Sequence, residues 1–118
     1  MAKAERLERL EILRTELEAD YLAALIAALQ MTAAGGRGLF DHDQDRRTRA
    51  KIAPVVDNLA EMGEAIDNAR ETLGLEPFEL HRQFLASRGP VASSAVGEPK
   101  QARAWLEKLG APVQPGSL

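Results

Sequence analysis

Residues 4–33, AERLERLEILRTELEADYLAALIAALQMTA, decide the fold. They read as one helix of about 30 residues, roughly 45 Å long at 1.5 Å per residue, whose character changes halfway. In its first half, acids and arginines alternate around an apolar line of Leu7, Leu10, Leu13 and Leu17. Pairs such as Glu5 and Arg9 stand one turn apart, where opposite charges support a helix. The second half, YLAALIAALQM, is apolar on nearly every side. A helix apolar all round has to be buried all round. The first line continues through Tyr21, Ala24, Ala28 and Met31 at coiled-coil spacing, and a second stripe, Leu22, Leu25, Ile26 and Leu29, joins it. One neighbour covers one stripe; both together need at least two.

Gly35 and Gly36 end this helix, since glycine readily takes the left-handed conformation of a C-cap. From Gly36 to Lys51 no clean period shows, and the segment reads as a long connection with at most a helical turn of its own from Asp43. Long irregular connections tend to carry function. Pro54 opens a second helix, because proline suits the first turn of a helix and disfavours helical geometry at the residue before it. Val55, Val56, Leu59, Met62, Ile66, Ala69 and Leu73 repeat with period 3.6 on its apolar face, and Gly74 caps it. Gly63 lies on that face. A glycine there costs about 1 kcal/mol against alanine, so a close approach is expected at this point, against the alanine-rich half of the first helix.

Pro77 introduces a third, short helix with Phe78, Phe84 and Leu85, and Leu75 or Leu80, on its inward side; Gly89-Pro90 stops it. VASSAVG reads as a flexible linker. Glu98-Pro99 opens a fourth helix with Ala102, Trp105, Leu106 and Leu109 inward, closed by Gly110. Trp105 reads as core before it reads as a binding anchor. No strand and no internal repeat emerges. The expected fold is all-α, a long antiparallel hairpin with two short C-terminal helices. It forms one domain over 1–110, with a disordered tail over 111–118. The double stripe favours a homodimer in which two hairpins make a four-helix core. The expected interface is Leu10, Leu17, Leu22, Leu25, Ile26 and Leu29.

Composition narrows the function classes. The chain of 118 residues has no cysteine, which excludes disulfides and thiolate metal sites. Its charged N-terminus is unlike a secretory signal, and the apolar run from Tyr21 to Met31 is short of the roughly 20 residues of a membrane span. A cytoplasmic protein is expected, and the abundance of arginine, alanine, leucine and glycine points to a bacterial, GC-rich source. The net charge of −3 gives no general attraction to nucleic acid or to an anionic membrane.

The one chemically suggestive run is Asp41-His42-Asp43-Gln44-Asp45. Its alternate acids resemble the start of an EF-hand calcium loop. Arg46 stands where that loop needs glycine, however, and Ile52 where it needs a bidentate glutamate. A looser site of His42 with Asp41, Asp43 or Asp45 is chemically open, although turn-forming aspartates need no metal. Arg37, Arg46, Arg47 and Arg49 form a basic knot able to hold an anion; the interleaved aspartates oppose it, and Phe40 is the one nearby aromatic. His81 on the third helix reads as a surface or boundary residue. No nucleophile with a base and an orienting acid stands at a motif spacing. The reading is therefore a non-catalytic interaction or regulatory module, homodimeric and without a cofactor. The alternative is a small-molecule or metal-binding protein that uses the 36–51 loop.

Overall fold

The computed structural model describes residues 2–34, 42–88 and 99–113. Four helices follow one another: α1 (Ala2–Ala34), α2 (His42–Thr72), α3 (Glu79–Arg88) and α4 (Pro99–Leu109). The fold is all-α. The backbone of α1 runs close to those of α2 and α4, and α3 approaches none of them as closely. At 33 residues, α1 is about 50 Å long and is the axis on which the other elements are laid.

The two apolar stripes of α1 merge into one inward face. Tyr21, Leu25, Ala28, Leu29 and Ala33 are fully buried, a spacing of four, three, one and four that keeps one side of a helix. They meet Ile52, Val56, Leu59 and Ile66 of α2, Phe78 and Phe84, and Ala102 and Leu106 of α4. The two neighbours that the double stripe demands are thus α2 and α4 of the same chain. Arg103 of α4 donates to the Ala33 carbonyl at 3.3 Å, satisfying an acceptor that the last turn of a helix leaves open. The Gln30 amide donates to the Pro112 carbonyl at 3.0 Å.

Two glycines stop their helices in the same way. Gly74 and Gly110 have φ of 74° and 71°, and Leu75 N–H donates to Arg70 O at 2.8 Å as Ala111 N–H does to Leu106 O at 3.0 Å. That is the Schellman arrangement, which needs a left-handed residue and returns the chain across its own last turn. After Gly110 the chain stays on the body, with Ala111 and Val113 partly buried against the core. Packing therefore continues through 113, and 114–118 lie outside the described residues.

The start of the second helix differs from expectation. Helix α2 begins at His42, so Pro54 lies inside it, and most of the expected 36–51 connection is helical. Proline in a helix interior removes one backbone hydrogen bond. Here Pro54 itself is exposed, so its ring costs no core packing. Ile52 and Val56 on either side are both about 1% exposed, and their burial holds the helix on course through the proline. Arg, Gln, Lys and Ala in 44–51 are good helix formers besides.

At the far end an ion-pair chain ties α1 to α2. Arg14 pairs with Glu11 and Glu18. The Glu18 carboxylate then accepts from Arg70 Nε at 2.9 Å and from its terminal nitrogen at 3.1 Å. Arg70 also donates to the Glu76 carbonyl at 2.9 Å and lies over the Phe78 ring. Burial works against the Glu18 charge, but the bonds from Arg70 and Arg14 outweigh it and hold the carboxyl below its usual range.

Candidate functional site

Two features stand out along α1, one covered and one bare. The covered one is a three-helix junction around His81. Far from being a surface residue, His81 is 5% exposed, and the Tyr21 hydroxyl lies 2.9 Å from its Nδ1. Its ring stacks on Phe84 and meets Tyr21 edge-on, and Phe78 packs edge-on against Tyr21 from the other side. The space for the imidazole comes from Gly63. A Cβ on that residue would overlap the ring's Cε1 and Nδ1. Gly63 does mark a close approach, as its spacing predicts, but the partner is His81 of α3 and not α1. One turn on, the Asp67 carboxylate accepts the Phe78 N–H at 2.8 Å and caps the entry to α3.

Burial disfavours a charged imidazole and lowers the affinity of His81 for a proton, with Asp67 and then Glu64 partly opposing this. Burial, and then the Asp67 charge, push the Tyr21 phenol well up, so Tyr21 is a neutral hydroxyl at any ordinary pH. Replacing Tyr21 with phenylalanine leaves a buried ring nitrogen without its partner. The expected cost is about 1–3 kcal/mol, read from the urea midpoint, with a shift of the His81 imidazole resonances.

The bare feature is the first half of α1. Leu7 and Leu13 are 38% and 47% exposed, and Leu10 and Leu17 are half-buried. Leu10, Leu13 and Leu17 line a shallow groove of about 330 Å³ with Ala65, Asn68, Ala69 and Thr72 of α2. The burial of the later half thus fails to extend along this one, although the leucine spacing is the same. Among the described residues, α2 is the helix that lines this half, and α4 sits at the other end against Ala33. A second cavity of about 410 Å³, between α3 and α4, is lined by Gln83, Ser87, Gln101, Ala104, Trp105 and Lys108. Its lining combines the Trp105 ring with the polar side chains of Gln83, Ser87, Gln101 and Lys108.

The expected interface residues divide between these regions. Leu25 and Leu29 are fully buried by their own chain; Ile26 is partly buried against the same core; Leu22 is 36% exposed; Leu10 and Leu17 belong to the bare half. Asp41 and Arg37 lie outside the described residues. His42, Asp43, Asp45, Arg46, Arg47 and Arg49 fall in the first turns of α2, and so on a helix instead of in a loop. Among the described residues no group of three or more His, Cys, Asp or Glu side chains converges, and no helix is long and apolar enough to cross a membrane.

The junction had a readable signal that the sequence reading passed over. Phe78, His81 and Phe84 stand three apart in the sequence, a helical spacing that puts His81 between two residues bound for the core. Compared with protein families, with curated proteins and with solved structures, the chain matches none.

Proposed function

We propose that this chain is a non-catalytic helical interaction module that pairs with a second copy of itself through the first half of α1. The observation that supports this is the exposed line of Leu7 and Leu13, continued by half-buried Leu10 and Leu17, at a spacing suited to a helix–helix seam. The flanking charges fit a copy better than a highly charged partner. Lys3, Arg6, Arg9 and Arg14 stand among Glu5, Glu8, Glu11, Glu16 and Glu18, so neither sign dominates and two such segments do not repel each other. A two-fold axis would set each line against its twin, the usual geometry of a homodimer.

The test is sedimentation equilibrium and native mass spectrometry of the full chain, alone and as the double variant Leu7→Lys, Leu13→Lys. The wild type is expected to run as a dimer. The variant is expected to run as a monomer with unchanged helix content, and to lose the concentration-dependent part of the wild type's stability. A monomeric wild type at the highest concentration attainable would overturn the reading. So would a variant that stays dimeric.

A further inference from the structure

Helix α3 is attached to the body differently from the other three. The backbone of α1 runs close to those of α2 and of α4, whereas α3 approaches none of the three as closely. It is held by three buried side chains, Phe78 just ahead of its first turn and His81 and Phe84 within it. Its outer side carries exposed Leu85 and the surface pair Glu79–Arg82 at 2.7 Å. The middle of the three anchors is the only one that can take up a proton near neutral pH. It sits where all three helices meet, against Tyr21 of α1 and over Gly63 of α2.

We propose that α3 is an acid-sensitive strap: protonation of the His81 imidazole, seated in the notch left by Gly63, undocks α3 from the α1–α2 hairpin. A neutral ring fits this seat, because it is stacked on Phe84, edge-on to Tyr21 and bonded to one neutral hydroxyl. A charged ring would lose its water, a cost that the Asp67 and Glu64 charges offset only in part. The groups facing it are Tyr21 from α1 and Glu64 and Asp67 from α2. On α3 itself, Glu79 and Arg82 bond to each other, and Asp67 is already engaged by the Phe78 N–H. Undocking lets the imidazole reach water and be charged there, and it bares Phe78 and Phe84 together.

The sign follows from linkage. The docked state binds the proton less readily than the open one, so the stability from docking is complete above the ordinary histidine value of about 6.5. It falls as pH drops below that value, until the docked form itself takes up the proton. The change therefore comes ahead of carboxylate protonation, which belongs to lower pH.

The experiment is amide hydrogen exchange of the full chain at pH 7.5 and 5.5, corrected for intrinsic exchange. It is paired with a proton NMR titration of the two histidines, His42 and His81, assigned through His42→Gln. Protection over 79–88 is expected to fall at least about threefold more than protection in the cores of α1 and α2, as a locally opening unit does. His81 is expected to titrate below the ordinary value. In His81→Gln, which cannot be protonated, α3 should lose its pH dependence. The titration and the wild-type exchange decide the matter even if that variant fails to fold. Equal protection at both pH values overturns the proposal, as does His81 titrating at or above the ordinary value, or the same pH dependence persisting in His81→Gln.

Discussion

Replacing Gly63 with alanine is expected to destabilise the protein, reversing the usual sign. In a helix interior, glycine to alanine ordinarily gains about 1 kcal/mol. Here the new Cβ would occupy the place of the His81 imidazole, and the ring has nowhere to retreat with Phe84 stacked on it and Tyr21 edge-on. Overpacking of this kind typically costs about 1–3 kcal/mol. The displaced ring also loses its bond to the Tyr21 hydroxyl, which adds to the cost of leaving buried polar groups unmet. The measurement is the urea midpoint of Gly63→Ala, with His81→Ala and the double variant completing a cycle. The double variant is expected to be more stable than the sum of the singles by at least about 1 kcal/mol, since residues in direct contact couple on that scale. A Gly63→Ala protein more stable than the wild type would mean that His81 does not occupy the notch.

The second large effect separates two neighbours that look alike in sequence. Phe84 is fully buried and Leu85 is 51% exposed, although both are apolar and adjacent on α3. Phe84→Ala is expected to cost about 3–5 kcal/mol, the usual range for emptying a phenylalanine site in a core. Against a total stability of about 5–15 kcal/mol, that loss brings the protein close to unfolding. Leu85→Ala should move stability by no more than about 0.5 kcal/mol. Thermal or urea unfolding of the two variants side by side checks this. Similar costs for both would mean that α3 is rotated about its axis relative to the arrangement described here.

These two sites also show how far the sequence can be read. The long first helix, the apolar face of α2 from Val55 onward, and Ala102 and Leu106 of α4 follow from period and capping, and they stand where the period puts them. Gly63 announced a close approach because its backbone cost needed a reason. What it could not announce was the occupant, since that ring comes from another helix 18 positions along. Leu85 misled because a short helix offers too few turns to tell its inward face from its flank. The start of α2 was lost for an energetic reason. A proline is read as a boundary, and here the burial of Ile52 and Val56 outweighs one lost backbone bond on a solvated face.

The exposed leucine line of α1 was half legible. The leucine spacing over 7–17 is visible in the sequence, as is the apolar run over 21–31. That α2 and α4 satisfy the second and leave the first partly bare depends on where two short helices dock, which periodicity alone does not say. The consequence is a division of α1 into a half its own chain covers and a half whose leucines stay partly exposed.

Hydrogen exchange along α1 at two protein concentrations tests that division most directly. Residues 21–33 are expected to be strongly protected at both concentrations, since their cover comes from the same chain. Residues 3–17 are expected to gain protection only at the higher concentration, and to lose that gain in Leu13→Lys. Protection over 21–33 that rises and falls with concentration, or protection over 3–17 that is indifferent to it, would contradict the account.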